Sequence, residues 1–177
     1  MNLRIPDIRG VIGRRILVNF RVKPTVAAML LPAPFRPKLI NGHAMAGICL
    51  IRLEQIRPRG LPAVLGIASE NAAHRIAVEW KAEGVRREGV FIPRRDTNAR
   101  VNVWAGGRLF PGLHHYARFV SFETNGHVQV QMDNPRDGTR VFVSGHAADG
   151  IPTTSVFKSL QGASKFFEQG SLGYSVT

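Results

Sequence analysis

Charged side chains recur inside two stretches whose other residues are largely apolar, Ser69–Trp80 and Arg86–Asp96. Glu70, His74 and Arg75 lie in the first, and Glu88, Arg94 and Arg95 in the second. Taking such groups out of water costs several kcal/mol unless they are paired and hydrogen-bonded. Two arrangements satisfy that requirement. One is a pocket in which Arg94, Arg95 or Arg75 clamps an anionic group while Glu70, His74 and Glu88 supply hydrogen bonds or proton transfer. The other is an Arg–Glu network that fixes strand register, with His74 a satisfied core histidine. The period of a strand puts Glu70, Ala72, His74, Ile76, Val78 and Trp80 on one face and Asn71, Arg75 and Glu79 on the other. Whether Arg94 or Arg95 joins Glu70 and His74 depends on hairpin register, because a one-residue slip reverses every side chain.

Arg87-Glu88, four residues, and then Pro93-Arg94-Arg95 resembles the active-site segment of the acetoacetate decarboxylase family, R-E-x4-P-K-K. In that family the first lysine forms a Schiff base with a keto acid. Arginine stands at both lysine positions here, and Arg94 matches the reactive one. A guanidinium stays protonated and is a poor nucleophile, so the resemblance implies a shared pocket without imine chemistry. The run Arg14–Phe20 leading to Leu31-Pro32-Ala33-Pro34-Phe35 is similar to the same superfamily, in which Glu70 falls at the catalytic-site glutamate. Arg57-Pro58-Arg59-Gly60-Leu61-Pro62, Ser69-Glu70-Asn71 and Ile92-Pro93-Arg94-Arg95-Asp96-Thr97 resemble the YqjF-like bacterial family over residues 14 to 125. Both families continue for several strands past the segment resembling Gly170–Tyr174. The resemblance thus implies a truncated or naturally short chain lacking C-terminal strands, with an open edge that favours a homodimer.

Other residues offer weaker chemistry. The remaining cationic nucleophiles, Lys23, Lys38, Lys81, Lys158 and Lys165, sit in polar, turn or helical contexts without a desolvating neighbourhood. His114 and His115 are adjacent and would point apart in a strand, while His43, His127 and His146 lack ligand spacing, so neither a metal nor a cofactor is expected. Cys49, the one cysteine, lies in an apolar run and reads as inert core.

The formal charge of +12 is the main compositional anomaly. A basic surface binds phosphate backbones, so nucleic-acid binding is a further alternative, although arginine pairs dispersed along the chain favour only non-specific adhesion. No apolar run approaches the roughly 18 residues of a membrane helix, and no secretory leader is evident, so the expectation is a cytoplasmic protein without a membrane partner.

The elements that must position these residues are mostly strands. At 177 residues the chain fits one domain over residues 14–177 behind an N-terminal arm, residues 1–13. Strands are expected over residues 14–23 and 43–57, with a short helix from Val26 to Leu31 opened by Pro24. A proline- and glycine-rich loop runs from Arg57 to Gly66. The polar hairpin turns over Trp80–Val85. A short helix is expected from Thr97 to Leu109, then a meander in which Asn125-Gly126 makes the first turn and Thr139–Ala147 the third strand. Ser155–Gln169 reads as helical and Ser171–Val176 as a further strand. The fold class is α+β, mainly β: an acetoacetate decarboxylase-like curved antiparallel sheet or β-barrel with two or three short helices. The expected function is binding of a small anionic or carbonyl-bearing molecule, with non-Schiff-base lyase or hydrolase chemistry by Glu70 and His74 as the enzymatic version. A non-catalytic domain held by its Arg/Glu cluster is the rival.

Overall fold

Alternating apolar residues drive more than half of the chain into strands. The structure, a computed structural model, describes residues 7–100, 112–168 and 173–175. A large sheet runs in the order β1 (Ile8–Val22), β4 (His43–Pro58), β5 (Ile67–Ala82), β6 (Val85–Thr97) and β11 (Gly173–Tyr174). The short strands β2 (Arg36–Pro37), β3 (Leu39–Ile40) and β7 (His114–Tyr116) pair with β5, β4 and β6 respectively. A second sheet is the meander β8 (Arg118–Thr124), β9 (His127–Asp133) and β10 (Arg140–His146). Helices are few among the described residues: α1 (Pro24–Met29), α2 (Leu160–Glu168) and a 3-10 turn at Ala63–Leu65. The architecture is mainly β with curved sheets, but β1 and β11 end the large sheet without meeting, so the barrel alternative gives way to an open sheet among the described residues. None of the described helices is long and apolar enough to cross a membrane.

Two hairpins follow from turn chemistry. Asn125-Gly126 takes φ of 45° and 76°, as a two-residue turn with both residues left-handed requires. The polar hairpin turns on Glu83-Gly84 alone (φ 53° and 76°), tighter than the expected Trp80–Val85, because Ala82 already pairs with Val85. β1 begins at Ile8, inside the stretch expected as an arm, because Ile8 and Arg9 find partners in Pro58 and Arg57. Helix α2 is shorter than Ser155–Gln169. Ser155 Oγ accepts from Phe157 N, holding a local turn, and Ser159 caps the helix by accepting from Gly162 N at 3.1 Å. The expected helix over Thr97–Leu109 falls largely outside the described residues, though Thr97 Oγ1 does accept from Ala99 N at 3.1 Å.

Strands β4 and β5 are covered on both faces, which explains their dense apolar content. One face packs Ile48, Leu50 and Ala72 against Ala117, Val130 and Met132 of the meander. Further along, Ile76, Val78 and Phe91 are covered by Ala27 of α1, and Phe35 meets Trp80 edge-on with ring centroids 5.3 Å apart. The opposite face packs Met45 and Ala77 against Phe157 and Phe166 of the C-terminal segment. Close approach of β1 requires glycine at Gly47, where a Cβ would lie 2.0 Å from Val18 O.

Candidate functional site

Register decides which arginine goes where. From the Glu83-Gly84 turn the strands pair regularly to Ile76 opposite Phe91, and then β6 inserts one extra residue, so that His74 faces Arg94 and Ala73 faces Arg95. This bulge falls at Ile92-Pro93, where proline has no N–H to give to the ladder. Without it Arg94 would stand opposite Ala73 and point to the other side of the sheet. The bulge sends Arg94 to the meander side with Glu70 and His74, and Arg95 to the side of Arg75.

On the meander side the Glu70 and Asp96 carboxylates both meet guanidiniums, although the buried Arg14 Nε has no hydrogen-bond partner among the described residues. Glu70 accepts from Arg14 Nη2 at 2.5 Å, Arg52 Nε at 2.8 Å and Ser121 Oγ at 3.1 Å, and Glu123 of β8 pairs with the same two arginines. Two residue rows away, Asp96 is fully buried and accepts from Arg94 Nε and Nη2 at 2.8 and 2.6 Å, a bidentate clamp. His74 Nε2 lies 3.2 Å from Asp96 Oδ2, Asn134 Nδ2 donates to Oδ1 at 3.3 Å, and Arg94 also reaches Asp137 at 2.7 Å. Ser121 and Glu123 on one side, and Asn134 and Asp137 on the other, belong to the meander. The two clusters therefore clamp it onto the large sheet, one on either side of the Leu50–Ala72–Val130–Met132 packing.

Burial acts most strongly on Asp96 and would raise its pKa. The hydrogen bonds from Arg94 and His74, the Arg94 charge and Asn134 together outweigh it and hold the carboxyl at about 2 against an ordinary 3.8. Asp137 is likewise held below the ordinary range, first by Arg94 and then by Thr139 N. A carboxyl lowered on folding binds fewer protons in the native than in the unfolded state. Its contribution is complete above the ordinary value and is lost as pH falls toward the native one. Urea unfolding at stepped pH is expected to show stability falling from about pH 4 down to about pH 2, with a shallower slope in Asp96→Asn. An unchanged slope in that variant would place the acid sensitivity elsewhere.

The opposite face carries cations with fewer partners. Arg75 is buried, donates to Asn19 Oδ1 at 2.8 Å and lies 5.1 Å from the Phe167 ring centre, with no carboxylate among the described residues. Among the described residues Arg95 has only Ser175 Oγ at 3.4 Å, and its buried Nε has no hydrogen-bond partner. Desolvation is the main cause lowering both arginine pKa values, and no carboxylate offsets it. Arg95 lines a cavity of about 230 Å³ with Ile51, Leu53, Asn71, Ala72, Ala73, Asp96 and His114, the Asp96 carboxylate itself being bonded to Arg94. His114 Nδ1 lies 2.9 Å from Gly112 O, so it carries the proton and Nε2 the lone pair. Burial lowers the His114 pKa below 6.5; the Gly112 bond opposes it and the Arg95 charge adds to it, leaving the ring neutral near pH 7.

The expected site residues thus divide. Glu70 and His74 share a face, as alternation requires, but stand about 13 Å apart along the strand with the Ala72 row between them. Glu88 pairs with Lys38 at 2.5 Å, far down the hairpin from Arg95. Lys38 corrects the reading of the lysines: it is buried, donates to Phe166 O at 3.2 Å and lies 4.2 Å from that ring's centre, because α2 folds over it. Sequence reasoning missed Asp96 and His114. Asp96 was legible, two residues beyond Arg94 on the same face; His114 reaches the cavity only because β7 pairs in parallel with β6, setting His114 beside Arg95. Among the described residues no three His, Cys, Asp or Glu side chains converge as metal ligands.

A family described as an uncharacterized conserved protein (COG2071), DUF2071, matches residues 13–167, most of the chain. The chain belongs to the DUF2071 family. No curated protein matches it. Among solved structures, acetoacetate decarboxylase from Legionella pneumophila subsp. pneumophila str. Philadelphia 1 is similar at TM-score 0.51 and 11% identity, over 82% of this chain and 68% of that one. An acetoacetate decarboxylase-like enzyme from Sphingomonas wittichii RW1 is similar at TM-score 0.54 and 17% identity, over 82% of this chain. The DUF2071 chain spans 59% of that second protein's length. At such identities the likeness is one of fold, and in this DUF2071 protein the reactive-lysine position of the sequence resemblance holds Arg94, clamped by Asp96.

Proposed function

We propose that this DUF2071 protein binds a small carboxylate or carbonyl-bearing anion in the cavity beside Arg95. The observation that carries this reading is the Arg95 guanidinium, whose buried Nε has no hydrogen-bond partner and which pairs with no carboxylate among the described residues, the nearby Asp96 being taken by Arg94. An anion supplies both the missing acceptor and the missing charge, in a bidentate geometry suited to arginine. The apolar walls, Ile51, Leu53 and Ala73, suit a short carbon skeleton, and Asn71 and His114 add polar groups to the same cavity. If a reaction accompanies binding, neutral His114 is the group in the cavity suited to proton transfer, and chemistry proceeds without an imine, since Lys38 is committed to Glu88 and α2. The network reading belongs instead to Glu70, His74 and Arg94, whose partners are all protein groups.

Calorimetric titration with a series of short carboxylates and keto acids tests the cavity. Arg95→Met is expected to weaken binding by roughly 10- to 100-fold while changing unfolding free energy by no more than about 1 kcal/mol, since it removes an unpaired charge rather than half of a pair. Wild type binding none of the series, or Arg95→Met binding it equally well, would overturn the proposal.

A further inference from the structure

The far end of the large sheet carries an exposed apolar loop with arginines beside it. Every residue from Pro58 to Leu65 is exposed. Val64 is 88% exposed and Leu65 63%, with Leu61 and Ile67 about half exposed beside them. Large apolar side chains displayed this fully on consecutive turns of one loop mark a binding surface more often than chance exposure does.

The charges beside the loop point to what it meets. Arg9 and Arg57 stand directly opposite each other on β1 and β4, an arrangement that like charges destabilise. The same two strands contain a second cross-strand arginine pair, Arg14 and Arg52, and there Glu70 and Glu123 fill the space between the cations. No carboxylate does so at Arg9 and Arg57 among the described residues. Arg57 spends donors on Gln55 O and Leu61 O, which holds the loop in place, and Arg59 meets Asp7 at 3.5 Å. Among the described residues Arg9, Arg57 and Arg59 against Asp7 leave this end cationic, as the chain is overall.

We infer that this end of the sheet docks on an anionic lipid surface. Leu61, Val64 and Leu65 enter the boundary between headgroups and acyl chains, and Arg9, Arg57 and Arg59 meet lipid phosphates. A stable protein interface commonly uses about 20 residues on each side. An exposed apolar loop with arginines beside it instead has the chemistry of an interfacial wedge. That no described helix is long and apolar enough bears on crossing a bilayer and leaves lying on one open. This inference is independent of the Arg95 cavity.

Full-length protein carrying Val64→Cys, labelled with an environment-sensitive fluorophore, provides the test, because Cys49 is buried and stays unlabelled in the folded state. Emission is expected to shift to the blue on vesicles of phosphatidylcholine with about 30% phosphatidylglycerol, and not on phosphatidylcholine alone. In co-sedimentation, Val64→Ser with Leu65→Ser is expected to lower partitioning onto the anionic vesicles about tenfold with charge and melting temperature unchanged. No binding to anionic vesicles, binding with the label still in water, or binding untouched by the double substitution would overturn the inference. The last two outcomes would reduce it to adsorption of a basic protein.

Discussion

Arg94→Met is expected to destabilise the fold by about 3–5 kcal/mol, because it removes one partner of a buried pair and strands the other. Asp96 is fully buried and would lose both bonds of its bidentate clamp, keeping only His74 and Asn134. Asp137, on the turn between β9 and β10, would lose its contact with the large sheet as well. Urea unfolding of the variant measures the effect, and the comparison with Arg95→Met makes it diagnostic. Adjacent residues of identical chemistry are expected to behave oppositely, one losing stability and the other losing ligand. A loss below about 1 kcal/mol in Arg94→Met would show that solvent compensates Asp96 and would return Arg94 to the candidate ligand site.

Glu70→Leu is expected to cost about 3 kcal/mol, since two guanidiniums lose their shared carboxylate and Glu123 alone must neutralise them. Arg14 is the more exposed to this loss because its side chain is only 8% accessible, whereas Arg52 at 30% can turn to water. A double-mutant cycle with Arg14→Met is expected to give a coupling of at least about 1 kcal/mol, as contacting charged partners do. The carboxylate affinity of the Arg95 cavity is expected to stay within about twofold of wild type, because Glu70 stands on the other side of the sheet. A collapse of ligand affinity with stability intact would instead make Glu70 part of the binding site, as the family resemblance implies.

Local rules were enough for much of this protein. Alternation assigned the strands and put Glu70, Ala72 and His74 on one face and Arg75 on the other, since side-chain direction in a strand depends only on parity. Asn125-Gly126 specified its turn because few residue pairs tolerate two left-handed conformations. Residue type alone ruled out an imine at Arg94 and Arg95. Pairing and packing decided the remainder. The extra residue at Ile92-Pro93 exchanged the faces of Arg94 and Arg95, and a bulge is a property of two strands together rather than of one. The parallel pairing of β7 brought His114 to Arg95, and the return of α2 over the sheet buried Lys38, joining residues distant along the chain. Whether a charge rests in a network or faces a cavity depends on which partners the rest of the fold delivers. Asp96 and Asp137 reached Arg94, no described carboxylate reached Arg95, and that difference arises only when the chain closes on itself.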